Sequence, residues 1–360
     1  MPTRRGLLLS AGLLAGSWAS LRPKAVWAGA RRDLFAAAWM RDGLAGFSVL
    51  DGDGTILRDV ALPDRGHDVA ADRTGRWIVA FARRPGRFAV AVDRTGDSAP
   101  IAFATPPDRH FFGHGVFSPD GALLYATEND FDAAAGVIGI YDATAGFVRI
   151  GEFPTFGMDP HELLLLGDGR TLAIANGGIE THPDYGRAKL NLSTMQPCVV
   201  FIDRENGTLI EKHNVPPGLS QLSTRHMDMT ADGAVWIGCQ WEGPPSARPP
   251  LLLRAAPGEA MQPVEIAELI LARLSNYVGS VAVNRAGNSI ALTSPHGNCA
   301  LIVDAMTGAV RRIVEETDVC GVAANKGGFL FSDGEGGFGA SVTDRIWDNH
   351  IAQCGADFSL

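Results

Sequence analysis

The chain has 360 residues, 31 basic and 40 acidic side chains, and a formal net charge of −9. This balance argues against a nucleic-acid partner, because proteins that bind phosphate backbones are basic. Past the N-terminal segment no stretch approaches 18 consecutive apolar residues. We therefore expect a processed chain that does not span a membrane.

The N-terminus has the pattern of an export signal. Arg4-Arg5 precede an apolar run that continues through Ala15, and Ala28-Gly29-Ala30 is an A-x-A cleavage pattern. The run is shorter than the roughly 20 residues of a membrane-spanning helix. The paired arginine predicts the twin-arginine route and a periplasmic protein. We predict a signal peptide over 1–30 and a single mature domain over 31–360.

A repeated unit follows along the chain: a short apolar strand, a turn that ends in glycine, and a second apolar strand. One copy runs from Val69–Ala71 through Asp72–Gly75 into Trp77–Ala80. The turn glycines are Gly75, Gly121, Gly169, Gly233, Gly287 and Gly327. Their spacings of 46, 48, 64, 54 and 40 residues are typical of four-stranded propeller blades. Only the stretch near Val264 to Leu274 resembles a helix, so we predict an all-β fold.

A seventh blade is indicated at the chain ends. Leu34–Trp39 resembles a second strand, yet no inner strand precedes it in the predicted mature chain. The C-terminal run Trp347–Gln353 resembles the inner strand Gly66–Ala71. We therefore predict a seven-bladed β-propeller, closed by pairing of the C-terminal strand into the N-terminal blade, which removes exposed sheet edges.

Five of the seven predicted inner strands begin at or beside a histidine. These residues are His67, His114, His161, His226 and His350. Inner strands line the central channel, so the five side chains are expected to form a ring at one mouth. Imidazoles with acidic neighbours suit iron, copper or zinc, and we predict that some of these histidines bind such a metal. The alternative is structural, with each ring hydrogen-bonded to backbone between blades.

Loops near this mouth supply further polar side chains. The longest loop, Asn176–Leu192, interrupts blade four, and long loops on rigid scaffolds often bind ligands. The predicted rim residues are Arg83, Arg84, Glu128, Asn129, Asn176, Glu180, His182, Arg187, Lys189, Arg225 and His296. As an alternative to a metal site, the arginines and the lysine of this set form an anion-binding rim.

The five cysteines are expected to be buried thiols. They include no C-x-x-C pair, and an odd number leaves one unpaired. A Cys320–Cys354 bridge near the ring closure stays open as an alternative.

Several strings together resemble one family. They are Phe112–Ser118, Pro160–Leu163, Ala175–Ile179, Gly186–Leu192 and Trp347–His350. Over nearly all of the predicted mature part, the chain resembles the bacterial domain of unknown function 1513 family. The resemblance implies an exported periplasmic propeller whose relatives are encoded beside imelysin-type iron-uptake proteins and a di-haem oxidoreductase. It supplies no reaction. Met227 stands after Arg225-His226 where the family tends to have leucine.

Three functions are compatible with these observations. The first is a metal-binding or docking accessory protein linked to iron uptake, with imelysin-type or other periplasmic iron-uptake proteins as partners. The second is a propeller enzyme, lactonase-like hydrolase or oxidoreductase, that uses the same face. The third is a non-catalytic protein-interaction platform. The sequence contains no G-x-S-x-G, P-loop, H-E-x-x-H or C-x-x-C-H motif, so we name no catalytic residue and favour a non-enzyme.

Overall fold

Seven antiparallel sheets surround a central channel. The computed structural model describes residues 33–94 and 98–356, without the side chain of residue 356, so the predicted signal peptide lies outside the described residues. Each sheet has four strand positions, and the sheets follow one another in chain order as the blades of a propeller. The predicted all-β, seven-bladed fold is confirmed.

The first four blades lie between residues 33 and 214. Blade 1 contains β1 (Asp33–Arg41), β2 (Leu44–Asp51) and β3 (Ile56–Leu62). Blade 2 contains β4 (Gly66–Ala71), β5 (Trp77–Ala82), β6 (Phe88–Asp93) and β7 (Ile101–Ala104). Blade 3 contains β8 (Arg109–Phe117), β9 (Leu123–Asp130), β10 (Ala135–Asp142) and β11 (Val148–Pro154). Blade 4 contains β12 (Pro160–Leu165), β13 (Thr171–Asn176), β14 (Cys198–Asp203) and β15 (Leu209–Asn214).

The remaining blades and the closing strands follow. Blade 5 contains β16 (Leu222–Met229), β17 (Val235–Trp241), β18 (Leu252–Ala256) and β19 (Glu259–Pro263). Blade 6 contains β20 (Ser280–Val283), β21 (Ser289–Ser294), β22 (Cys299–Asp304) and β23 (Val310–Glu315). Blade 7 contains β24 (Val319–Asn325), β25 (Gly328–Asp333), β26 (Gly337–Phe338) and β27 (Ser341–Val342). The last two strands are β28 (Ile346–Trp347) and β29 (Ala352–Ala356).

Helices are few and short in the described ranges. The only α-helix there is α1 (Glu268–Leu271), which continues as a 3-10 turn over Ala272–Leu274 inside the stretch predicted to be helical. The other 3-10 turns are Ala143–Ala145, Pro183–Tyr185 and Leu192–Thr194. Between residues 33 and 356, leaving out 95–97, we find no helix with the length and apolarity needed to cross a bilayer.

The ring is closed by the two ends of the chain. Trp347 of β28 pairs with Trp39, and Gln353 of β29 pairs with Phe35, so both short strands lie on the inner edge of β1. The predicted closure is confirmed. Between the two strands, residues 348–351 leave the ladder, although the Asp348 backbone N–H still donates to the carbonyl of Ala38 at 2.9 Å. This interruption places two polar side chains, Asp348 and His350, at the channel.

Apolar side chains fill the interfaces between blades. Every residue of β5 and of β13 is buried, because each of these strands lies in a sheet covered on both faces by its neighbours. The largest apolar cluster among the described residues joins blades 4, 5 and 6. Such packing holds the inner strands in fixed positions relative to one another.

Trp347 makes the closure a testable part of the fold. Its ring is 2% exposed and packs 5.1 Å from Phe338, and its Nε1–H donates to the Gly336 carbonyl at 3.3 Å. Trp347→Phe is expected to lower the free energy of unfolding by about 1–2 kcal/mol, through a small cavity and a lost hydrogen bond. Urea denaturation followed by circular dichroism measures this. Val342→Ala, at a side chain 83% exposed, is the control and should change stability by less than about 0.5 kcal/mol.

Candidate metal centre

Irregularities in the inner strands direct the histidines into the channel. The register of β4 against β5 shifts between Gly66 and Val69, around His67. Comparable shifts lie at or beside His114 in β8, His161 in β12 and His226 in β16. A bulge inserts a residue and re-aims a side chain. Counted along the chain, His67 and His161 lie eight residues before the turn glycine of their blade, whereas His114 and His226 lie seven residues before it. The register shifts fall at different points in these strands, which explains the difference.

The five rings converge in one cluster, the histidine cluster (His67, His114, His161, His226 and His350). Eight of the ten ring pairs have centroids 4.6 to 6.1 Å apart. None of the five residues is more than 6% exposed. The structure thus brings together all five histidines that the sequence singled out, and their role as metal ligands stays a prediction.

Two groups of three within the cluster have ring nitrogens within 4.8 Å of one another. One group is His67, His114 and His161, and the other is His114, His226 and His350. His114 belongs to both groups. An ion held by either group would therefore have His114 among its ligands.

Carboxylates from neighbouring blades hold three of the rings. His67 Nδ1 lies 2.9 Å from Asp348 Oδ1, and His114 Nδ1 lies 3.0 Å from Asp68 Oδ2. His226 Nδ1 lies 3.1 Å from Glu162 Oε2. A carboxylate that accepts a hydrogen bond from Nδ1–H leaves the Nε2 lone pair free, and this is the usual orientation of a metal-binding histidine.

Three other ring nitrogens of the cluster are buried without a hydrogen-bond partner in the described part of the chain. His114 Nε2, His161 Nδ1 and His350 Nε2 have no hydrogen-bond partner among the described residues. Burial lowers the pKa of His67 to about 3 and the pKa values of His161, His226 and His350 well below the ordinary value. Neutral imidazole is the form that binds a metal ion.

The cluster separates two cavities of opposite character. On one side a cavity of about 1000 Å³ is lined by Asp68, Glu162 and Asp228 among others, and His350 borders it. On the other side a cavity of about 30 Å³ is bordered by His67, His161 and His226. Four predicted rim residues line this second cavity: Arg83, Arg84, Arg187 and Arg225.

The other predicted rim residues have mostly structural contacts. Asn176 donates to the Thr155 carbonyl at 3.0 Å, and Asn129 donates to the Thr181 carbonyl at 3.1 Å. Lys189 pairs with Glu242. These contacts fix the long loop on the blade ends.

Two further rim histidines and two acidic residues lie outside the cluster. His296 stacks on Tyr277 with ring centroids 4.5 Å apart, and His182 caps the 3-10 turn Pro183–Tyr185. The backbone N–H of Glu180 donates to Asn191 Oδ1 at 2.7 Å. Glu128 is buried and bonds to Tyr141 and Arg149 of the same blade, so its side chain lies inside blade 3 and not on the rim.

The cysteines are buried thiols as predicted, and the alternative Cys320–Cys354 bridge is not formed. All five cysteines are buried free thiols. Cys320 lies at the register shift of β24, a position at or near which β4, β8, β12 and β16 carry histidine, and its thiol contacts the Asp348 carbonyl at 3.4 Å. Burial raises the pKa of the Cys320 thiol to about 12, so it is protonated and a poor metal ligand.

Sequence reasoning missed the carboxylates that orient the rings. Asp68 directly follows His67, Glu162 directly follows His161, and Asp348 lies two residues before His350. Each acid then contacts the histidine of the next blade. An acidic residue beside a repeated histidine was therefore a usable signal.

Comparisons with known proteins identify a family and support the fold. The family model described as "Protein of unknown function (DUF1513)" matches residues 60–354. No curated protein matches the chain. Hydrazine synthase of Kuenenia stuttgartiensis is 14% identical, with a TM-score of 0.58 over 87% of this chain and 92% of that chain. The Cps50 (Swd1) beta-propeller domain of Myceliophteria thermophila is 11% identical, with a TM-score of 0.60 over 87% and 95%. At these identities the likeness concerns the fold alone.

Proposed function

The chain belongs to the DUF1513 family of proteins of unknown function, and we propose that it binds a transition-metal ion in the histidine cluster. One observation carries the proposal: five buried histidines from five blades meet, and three are oriented by carboxylates. Carboxylate–histidine–metal arrays are a recurring design of protein metal sites.

The structural alternative is less well supported. It requires the rings to hydrogen-bond to backbone between blades, yet in the described ranges none of the five rings does so. Buried polar atoms without partners cost about 1–3 kcal/mol each. A bound cation would satisfy several ring nitrogens at once, and this favours the metal-binding proposal.

The ligand set narrows the range of metals. Both groups of three consist only of imidazoles, which suit zinc, copper, iron and nickel better than magnesium or calcium. Bonds of about 2.0–2.1 Å in a tetrahedral site place ligand nitrogens roughly 3.3 Å apart. We therefore expect rotations of the rings to bring the nitrogens, which lie within 4.8 Å of one another in each group, to this spacing when the ion binds.

We further propose that the protein is periplasmic and that iron is its metal in the cell. The paired Arg4-Arg5 and the A-x-A pattern at 28–30 support export by the twin-arginine route. The resemblance to relatives encoded beside imelysin-type proteins supports a role in iron uptake, either as a metal-binding accessory protein or as a docking partner.

Metal content tests the proposal directly. Protein exported in its own host and purified without chelator is expected to contain roughly one transition-metal ion per chain by elemental analysis. Iron in excess of copper and zinc would support the iron-uptake role, whereas copper or zinc would support metal binding and contradict that role. A protein that is purified without metal and takes up no iron, copper or zinc would contradict the proposed function.

A further inference from the structure

The small cavity beside the histidine cluster has an unusual lining. Arg83, Arg84, Arg187 and Arg225 surround it, and none of its lining residues is a carboxylate. Its volume of about 30 Å³ accommodates one small polar group, since a single water needs roughly half of that space. The lining is thus electropositive, and the cavity is too small for a whole drug-sized ligand.

Two of the four guanidinium groups have acidic partners. Arg83 Nη1 donates to Asp348 Oδ1 at 2.6 Å, and Arg84 Nη1 lies 3.6 Å from Asp159 Oδ1. Asp159 also lies within the electrostatic reach of Arg225, although the side chains of Arg187 and Arg225 form no ion pair or hydrogen bond within the described residues. Arg84 and Arg225 therefore share one carboxylate, and the cavity lining has more guanidinium groups than carboxylate partners.

Burial makes this excess charge costly. Arg225 is 9% exposed, and its Nε has no hydrogen-bond partner in the described part of the chain. Burial lowers the pKa of Arg84, and the nearby charges of Arg225 and Arg187 lower it further. Buried charges in proteins are normally paired, and a single carboxylate near Arg84 and Arg225 leaves an excess of positive charge that a bound anion would offset.

Hydrogen bonds fix the loop that carries Arg187 and two other side chains of the cavity lining. Asn191 anchors the long loop by donating to the Gly178 carbonyl at 2.9 Å, and this loop carries Arg187. Asn349 donates to the Tyr277 hydroxyl at 2.9 Å, and both residues line the cavity. Asn349 and Tyr277 are therefore held in place within the lining, and Arg187 lies on its solvent-exposed side.

We propose that this cavity binds one carboxylate group of a small organic anion, between Arg187 and Arg225 and against the histidine cluster. A guanidinium matches a carboxylate through two parallel hydrogen bonds, and a planar carboxylate fits the volume better than a tetrahedral oxyanion. The inference deepens the proposed function and rests on it for one point: a carboxylate at this position would be an additional oxygen ligand for the metal ion. Anion binding itself requires no metal.

Calorimetric titration of the full mature chain, freed of metal by a chelator that is then removed, tests the inference with oxalate as the probe. Oxalate is expected to bind once per chain. Arg225→Gln and Arg187→Gln should each weaken its affinity by about tenfold or more, because each removes a charge-assisted hydrogen bond. Arg312→Gln, on the exposed side of β23, removes the same charge elsewhere and should change the affinity by less than about twofold.

The other outcomes separate this inference from the proposed function. Absent oxalate binding, or binding unchanged by both substitutions at 187 and 225, would overturn the arginine site even if metal binds. Sulfate that binds more tightly than oxalate at the same arginines would overturn the carboxylate assignment. Oxalate binding that requires Arg187 and Arg225 in a protein that takes up no metal would support the anion site and reject the metal site. Circular dichroism confirms folding, and Arg187 lies in an exposed loop where substitution spares the core.

Discussion

Replacement of His114 by alanine is expected to weaken transition-metal binding by about 100-fold or more. His114 is the one histidine shared by both groups of three, and it is 1% exposed, so no neighbouring water readily takes its place. A structural zinc site contributes about 10–16 kcal/mol through four ligands, and one ligand is then worth about 3 kcal/mol. Competition with a chromophoric chelator for Zn²⁺ and Cu²⁺ at pH 7 measures the change.

His213→Ala is the matched control for this substitution. His213 lies in β15, the outer strand of blade 4, is 8% exposed and pairs with Glu211 rather than with the cluster. Its removal should change metal affinity by less than about twofold. Equal affinities of the His114→Ala variant and the unmodified protein would contradict a metal site centred on His114.

The architecture could be predicted because each blade repeats the same local signals. The glycine after each hairpin turn, such as Gly121 with φ of 71°, marks a backbone conformation that other residues adopt at a cost. The apolar runs on either side mark two adjacent strands. Resemblance between Trp347–Gln353 and an inner strand was then enough to predict the ring closure, since a closed ring needs a partner for β1.

The repeated sequence signals did not predict the local register shifts and the break in the closing strand that position the histidines. The predicted closing strand is divided into β28 and β29, and His350 lies in the interruption. A local register shift depends on how two strands pair, which the pattern of one strand does not specify. The sequence therefore predicted that the histidines meet but not which of their nitrogens face one another.

Glu128 shows the same limit for the rim. It was expected at the end of its strand, but β9 continues to Asp130, and Glu128 Oε1 accepts a 2.5 Å hydrogen bond from the Tyr141 hydroxyl. Arg149 on the outer strand adds an ion pair at 2.9 Å. These partners come from other strands of the same blade, so a buried carboxylate is tolerated where local sequence suggests an exposed one.

The two cavities suggest how the site is divided. The acidic residues Asp68 and Glu162 each orient a histidine and also line the larger cavity. Burial raises the pKa of Glu162, so the negative charge that favours an approaching cation comes from Asp68, Asp168 and Asp232. The arginines lie on the opposite side of the cluster and favour an anion. A metal ion and its carboxylate ligand would therefore meet at the histidine cluster from opposite sides, which connects the proposed function with the arginine-lined cavity.

Asp348→Asn is expected to destabilise the protein and to weaken metal binding. The Asp348 carboxylate is 2% exposed and accepts hydrogen bonds from His67, from Arg83 at 2.6 Å and from Arg65 at 2.8 Å. Removal of its charge leaves Arg83 partly buried without a counter-ion. We expect a loss of about 3 kcal/mol in the free energy of unfolding, at the lower end for a broken buried ion pair because Arg83 is partly exposed. Urea denaturation of the metal-free protein measures this loss.

The same substitution frees His67 to adopt either tautomer, so metal affinity should fall by about 10- to 100-fold in the chelator competition. Asp344→Asn is the matched control. Asp344 pairs with Arg41 at a side chain that is 68% exposed, and such surface pairs contribute less than about 1 kcal/mol. If Asp348→Asn lowered stability but left metal affinity unchanged, Asp348 would act only in the ring closure and His67 would not be a ligand. If neither property changed, the carboxylate would not orient the cluster at all.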